Sequence, residues 1–256
     1  ARAELGILVR CGMHGLAICL INSFVNPAHE QRLLALAGEV FGAQFPVSVS
    51  FQVGPRAKEY ARASTTVIDV MMKLIYGDYA QELDVQLRAQ GFAGELNFAD
   101  CTAALIPWRD AVTGPHRILF AGPAAGAAAC CGLGAAMGDG RLIGCDVGGT
   151  STDVTVVVDG APFINDSFQI EHDLLVNTLS TEVASVGAGG GSIVSVSPSG
   201  DLRVGPHSAG ATPGPACYGR GGTQPTVTDA CLLMGILDPD AFADGQIRLD
   251  EAAAAS

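Results

Sequence analysis

Between Ile143 and Val156 the chain sets two carboxylates, two adjacent glycines and three hydroxyls into one phrase, Cys-Asp-Val-Gly-Gly-Thr-Ser-Thr-Asp. Asp146 stands at the end of an apolar run. Gly148 and Gly149 allow a tight turn with exposed N–H groups, and Thr150, Ser151 and Thr152 add hydroxyl donors. That combination suits a phosphate group. It is not a Walker loop, because no Gly-Lys-Ser/Thr follows. It is not a dinucleotide fingerprint either, because the glycines do not open a helix. An ordinary glycine-rich hairpin turn is the alternative. A carboxylate at a strand end beside a polyphosphate is where a hard cation sits, so Asp146 is the candidate magnesium ligand, acting through water; a turn-capping Asp is its other reading. Asp153 is the second candidate catalytic residue. It either orients water or the metal's shell, or steadies the loop by accepting N–H groups.

A second glycine run, Val186 to Ile193, holds Gly189, Gly190, Gly191 and Ser192 between apolar residues. Three consecutive glycines carry a large conformational entropy, so a close approach of ligand or backbone is expected there, with a flexible linker as the alternative. His207, Tyr218, Arg220 and Asp229 lie in or beside a Gly/Pro-rich stretch and are candidates for a site near substrate or partner, or for a structural loop. His29 belongs to a helix start, and His14, His116 and His172 suggest no chemistry. Lys58, Glu59, Tyr60 and Arg62 form a charged patch, either an interdomain contact or a solvated helix start.

The elements that must position these residues read as α/β. A buried strand, Gly15 to Phe24, precedes a helix begun by Asn26-Pro27. Pro46 to Phe51 alternates as a strand, and a long helix runs from about Lys58 to Gln90. Glu95 to Ala99 is a strand, Pro107 to Thr113 a short helix or connector, and Arg117 to Phe120 another strand before a turn at Ala121-Gly122-Pro123. A small-residue helix then reaches Met137. The phosphate hairpin follows, with a return strand Val154 to Val158, a turn at Asp159-Gly160 and renewed pairing around Pro162 to Phe168. Ser192 to Val196 and Leu202 to Val204 form a further hairpin. Gly205 to Pro225 is irregular, and Thr226 to Leu237 is a helix.

Composition narrows the function. A formal net charge of −12 argues against nucleic acid or an anionic membrane as the main partner. No apolar run is long enough to span a bilayer. The eight cysteines include no Cys-x-x-Cys pair, and most read as small buried hydrophobes in a reducing, cytoplasmic setting; adjacent Cys130 and Cys131 read as packed in a helix, with cluster ligation or a vicinal disulfide as the alternative. A start at Ala1 without methionine and an Ala-rich end suggest truncation at both ends.

The hairpin around Asp146 resembles the phosphate loop of the actin-like ATPases. Five phrases together are similar to the hydantoinase A / 5-oxoprolinase family: Lys58 to Val67, Ala121 to Gly126, Asp146 to Asp153, Val186 to Ile193 and Val204 to Ala230. The resemblance implies an incomplete actin-like (ribonuclease H-like) ATPase fold, a mixed sheet with flanking helices. Residues 1–120 would end a first part and its connecting region; residues 121–256 would form a second, with the phosphate loop at 146–153 and the glycine loop at 187–192. It implies ATP and Mg2+ as cofactors, Gly148 to Thr152 and Gly189 to Ser192 as nucleotide contacts, and the opening of a cyclic amide through phosphorylation of its oxygen. Related ketone carboxylases use the same type of subunit, and a non-catalytic nucleotide-binding subunit is a third reading. A hydantoinase B-type subunit or fused half is the expected partner. Two departures are visible. The first Asp-x-Gly-Gly-Thr loop of the family is missing, which predicts no turnover by this segment alone, and Phe98 to Ala104 replaces a different family phrase.

Overall fold

The computed structural model describes residues 1–170 and 173–256. After α1 (Arg2–Arg10), β1 (Leu16–Ile18), α2 (Ala28–Phe41) and β2 (Val47–Val49) form a βαβ unit. The strands pair in parallel with Leu16 opposite Val47, and α2 supplies the crossover that parallel pairing requires. Asn26 Oδ1 accepts the Ala28 N–H at 3.1 Å to start α2, and Gly42 at φ 94° ends it. Both strands are shorter than their sequence runs. The Leu20 N–H goes to Glu30 and its carbonyl to Arg62, each at 2.7 Å, so the main chain leaves the ladder. Phe51 likewise donates to Glu30 at 3.0 Å, inside the short helix α3 (Ser50–Val53).

The long helix α4 (Glu59–Ala89) buries Ala61, Thr65, Asp69, Met72 and Ala80, the spacing of one helical face. Hairpin β3 (Asn97–Ala99) and β4 (Leu105–Pro107) follows, then α5 (Trp108–Thr113). Where a strand was expected at Arg117 to Phe120, a 3-10 turn covers Pro115–Ile118, because the His116 side chain is drawn inward to Asp69 at 2.6 Å. The expected turn at Ala121-Gly122-Pro123 is instead the first turn of α6 (Ala121–Met137). The Phe120 carbonyl accepts the Ala124 N–H there, and Pro123 needs no partner for a missing N–H.

The hairpin read around Asp146 forms: β5 (Leu142–Val147) pairs antiparallel with β6 (Thr152–Val158). Asp159 and Gly160, both at positive φ, turn the chain into β7 (Ala161–Pro162). Next, β8 (Ile164–Asn165), β9 (Phe168–Gln169), β10 (Leu175–Val176) and β11 (Ser180–Thr181) pair among themselves. The Thr181 N–H bonds the Cys101 carbonyl at 2.8 Å, and the Asn177 N–H bonds Thr65 Oγ1 at 2.9 Å. Residues 162–182 therefore join residues 1–129 in one compact unit, and residues 130–161 with 183–256 make the other. The boundary between these compact units falls within α6, and residues 162–182 return to the first of them. His172, to which the sequence assigns no role, lies outside the described residues.

In the second unit, β12 (Ala184–Val186) returns to β6, giving the order β12-β6-β5. One face packs on α6. Val157 and Thr155 are buried, and a side chain at Gly144 would collide with Cys130 Sγ. β13 (Ser192–Val196) and β14 (Leu202–Ser208) form a hairpin, followed by a 3-10 turn at Ala216–Tyr218, α7 (Val227–Leu233) and α8 (Glu251–Ala254). The last long helix stops at Leu233 because Gly235 takes φ 70°. Among the described residues, parallel pairing is confined to β1 and β2, so the sheet is not one mixed sheet. Among the described residues, α2 alone provides a crossover between adjacent parallel strands, and the other named pairings are antiparallel.

Candidate functional site

The register of β5 and β6 places Asp146 directly opposite Asp153, with Gly148 to Ser151 as the connecting loop. Like charges directly opposed on a sheet repel. Asp153 is relieved by Ser185 on β12, whose hydroxyl donates to its carboxylate. Asp146 is exposed, and its carboxylate accepts no hydrogen bond among the described residues. The loop closes on itself where the Gly148 N–H meets the Ser151 carbonyl at 2.9 Å. The N–H groups of Gly149, Thr150 and Ser151 have no acceptor among the described residues, and a side chain built on Gly149 would meet nothing within 4 Å. Three backbone donors and one open carboxylate thus stand together at the end of β5, a donor set that fits a phosphate chain and its hard cation.

The second glycine run is brought to this loop, and its donors are already used. The N–H groups of Gly190 and Gly191 bond the carbonyls of Gly148 and Gly149 at 2.9 and 2.7 Å. The Thr152 hydroxyl bonds the Ala188 carbonyl at 2.5 Å, and Ser192 Oγ accepts the Gly189 N–H at 2.8 Å. A Cβ on Gly189 would lie 2.7 Å from the Gly148 carbonyl oxygen and 2.7 Å from the Ser151 nitrogen. The close approach that demands glycine is made here by the backbone of the loop at 148–151.

The Gly/Pro-rich stretch is a structural knot around Asp229, which is 2% exposed. Its carboxylate accepts N–H groups of Cys217 at 2.8 Å and Thr226 at 2.9 Å, and the Thr226 hydroxyl at 2.7 Å. Burial pushes the Asp229 carboxyl up, but these donors outweigh it and hold the group below the ordinary carboxylate range. Tyr218 packs at a tilt against Phe242 and lies under Arg220, whereas His207 lies exposed on β14 and enters none of these contacts. Lys58, Glu59 and Tyr60 are exposed, but Arg62 departs from the surface patch expected of it. It is fully buried, donating to Ser50, to the Arg56 carbonyl and to the Leu20 carbonyl.

Sequence reasoning missed a buried polar cluster in the first unit. Asp69 accepts His116 Nδ1 at 2.6 Å, Ser48 Oγ at 2.6 Å and Lys73 Nζ at 3.0 Å. Only the i, i+4 spacing of Asp69 and Lys73 was visible beforehand. A separate cleft of about 380 Å³ in that unit is lined by Tyr76, Tyr79, Phe98, Ile118 and Leu119 and by no charged side chain. The Phe98 to Ala104 segment ends β3 and then makes a tight turn in which Asp100 Oδ1 accepts the Thr102 N–H, the Thr102 hydroxyl and the Ala104 N–H.

The hydantoinase/oxoprolinase family profile matches residues 62–256. The alpha subunit of caprolactamase from Pseudomonas jessenii is 35% identical over 94% of this chain and 34% of its own length. The gamma subunit of acetophenone carboxylase from Aromatoleum aromaticum is 35% identical over 99% of this chain and 35% of its own. Among solved structures, nucleotide-free acetone carboxylase, described as an ATP-dependent carboxylation enzyme, superposes with a TM-score of 0.81 at 26% identity. That superposition covers 99% of this chain and 36% of the other. The chain therefore spans about a third of the length of these relatives.

Proposed function

From the premise that this chain belongs to the hydantoinase/oxoprolinase family, we propose that it is the phosphate-holding part of an actin-like ATPase that activates the carbonyl oxygen of a small cyclic amide. The observation that carries the reading is the trio of unengaged N–H groups at Gly149, Thr150 and Ser151 beside the open Asp146 carboxylate. The three donors bind and orient the terminal phosphates of ATP, with the Thr150 and Ser151 hydroxyls adding donors at the same edge. Gly148, Thr152, Gly189, Gly190, Gly191 and Ser192 hold that loop in place. Asp146 holds Mg2+ through water, and Asp153, tied to Ser185, keeps the strand end in register. The cation supplies neutralisation of phosphate charge, which together with positioning is most of what phosphoryl transfer needs.

The chemistry has a physical motive. An amide carbon is a poor electrophile. Transfer of the γ-phosphoryl group to the amide oxygen releases ADP and leaves a carbon that water attacks; the C–N bond then breaks to give the free amine and an acyl phosphate, which a second water hydrolyses to the carboxylate and phosphate. The acetophenone and acetone carboxylase relatives favour a second reading, in which the same loop serves ATP-dependent activation for ketone carboxylation. The named relatives are subunits, which supports a companion subunit for this protein. Eight free thiols support a reducing, cytoplasmic setting.

The test is ADP release by the full gene product with its companion, in the presence of Mg2+ and of caprolactam, 5-oxoproline, hydantoin or acetophenone in turn. Release that depends on a cyclic amide is expected. Release that depends on the ketone and bicarbonate would move the protein to the carboxylases. ATP binding with no carbonyl-dependent release would leave a non-catalytic nucleotide-binding subunit. The 256-residue segment alone is expected to release no ADP.

A further inference from the structure

Gly190 joins two elements that lie far apart in sequence. Its N–H donates to the Gly148 carbonyl of the phosphate loop at 2.9 Å. Its own carbonyl accepts two bonds from one residue of α7, the Thr228 N–H at 2.8 Å and the Thr228 hydroxyl at 2.8 Å. Thr228 is 6% exposed. A threonine hydroxyl near a helix start commonly serves its own helix or water, but this one crosses to another segment.

The start of α7 is itself fixed. Thr226 and Asp229 form a reciprocal capping box, and Asp229 also takes the Cys217 N–H at 2.8 Å. A bonded path therefore runs from Cys217 through Asp229 to the first turn of α7, and from Thr228 through Gly190 to Gly148. Gly190 has no room to shift towards α7, since a Cβ on it would already lie 2.9 Å from Thr228 Oγ1.

We propose that Thr228 is a positioning residue for the phosphate loop: by holding Gly190 it keeps the Gly148 carbonyl turned inward, so that the N–H groups of Gly149, Thr150 and Ser151 face the ligand. This rests on the phosphate-binding reading of that loop. Thr228 touches neither the phosphates nor the reacting atoms and acts only through Gly190.

The experiment uses the full gene product and two substitutions. Thr228→Val keeps the β-branched shape and loses the hydroxyl; Thr228→Ser keeps the hydroxyl. Three quantities are measured: amide exchange at Gly190 and Gly191 without nucleotide, the dissociation constant of Mg·ATP by calorimetry, and the thermal midpoint. Loss of one neutral hydrogen bond predicts that Thr228→Val exchanges faster at both amides and binds ATP about three- to tenfold more weakly. Thr228→Ser is expected to restore both, with the midpoints of all three proteins close together. The proposal is overturned if Thr228→Val exchanges and binds as the unsubstituted protein does. It is also overturned if Thr228→Ser fails to rescue, or if binding falls only in step with the thermal midpoint. ATP binding by the unsubstituted protein with no change in Thr228→Val sinks this proposal alone, whereas no ATP binding by the unsubstituted protein sinks the phosphate reading with it.

Discussion

Gly189 and Gly149 are both loop glycines, yet the surroundings of their α-carbons give them opposite reasons to be glycine. A methyl group on Gly189 would press into the Gly148 carbonyl oxygen and the Ser151 nitrogen, each at 2.7 Å, while one on Gly149 would meet no protein atom within 4 Å. Gly189→Ala is expected to destabilise the second unit by about 1–3 kcal/mol, the usual cost of overpacking, and to abolish nucleotide binding with it. Gly149→Ala is expected to leave stability within about 0.5 kcal/mol and still weaken ATP binding, because the methyl would occupy ligand space. Urea unfolding beside calorimetric titration separates the two, and unchanged ATP affinity in Gly149→Ala would place the phosphates elsewhere. Asp146→Asn tests the open carboxylate. If Asp146 reaches Mg2+ through water, its loss weakens the Mg2+-dependent part of ATP binding roughly 10–100-fold, the range found for outer ligands. A magnesium titration at fixed nucleotide reads this directly.

At the scale of elements, α4, β2 and the 3-10 turn at Pro115–Ile118 are held together by Asp69, whose side chain is fully buried. Burial pushes its carboxyl up, but His116, Ser48 and Lys73 outweigh that and hold it below the ordinary value of 3.8. A carboxyl lowered by folding contributes stability that is present above its unfolded pKa and lost as pH falls through the folded one. The thermal midpoint of the protein should therefore fall below about pH 4, and Asp69→Asn should flatten part of that fall. Asp69→Ala leaves Lys73 and the His116 ring without their partner and is expected to cost about 3–5 kcal/mol in urea unfolding. An unchanged midpoint in Asp69→Ala would show that these elements are held by their apolar contacts alone. Asp229 is a second carboxylate of this kind, in the other unit, so the Asp69→Asn difference is what isolates the α4 contribution.

Across the whole molecule, the cysteines report burial in both units at once. All eight are free thiols. Burial pushes the Cys101 thiol up to about 11 and the Cys217 thiol up to about 12, whereas Cys11 and Cys145 are exposed. Brief alkylation at neutral pH with peptide mapping should mark Cys11 and Cys145 and leave Cys101 and Cys217 unlabelled until denaturant is added, because the thiolate is the reactive form. Early labelling of Cys217 would mean that the Asp229 knot opens in the native state. The charge of −12 also acts at this scale. An acidic protein that takes up a polyanion needs a local set of fixed donors and a cation, and backbone N–H groups provide donors without a basic surface.

The hairpin of β5 and β6, the long helix α4 and the family were legible in the residues, because alternation, helical spacing and paired glycines are local signals read over a few turns of chain. Asp146, Gly148 and Gly149 announced the strand end and the tight turn after it for the same reason. What escaped the sequence depends on partners brought in from a distance. Arg62 looked like a surface charge and is core, because Ser50 and the carbonyls of Leu20 and Arg56 satisfy its donors. Residues 117–120 looked like a strand and turn into a helix, because His116 is drawn to Asp69 across 47 positions. The three glycines at 189–191 could be seen to need a close neighbour, but only the tertiary structure decided that the neighbour is the loop between β5 and β6, through backbone hydrogen bonds that carry no side-chain signature. The sequence by itself determined which groups are available for chemistry; the fold decided which donors are spent inside the protein and which remain for a ligand, since a hydrogen-bonding group already paired has nothing further to offer.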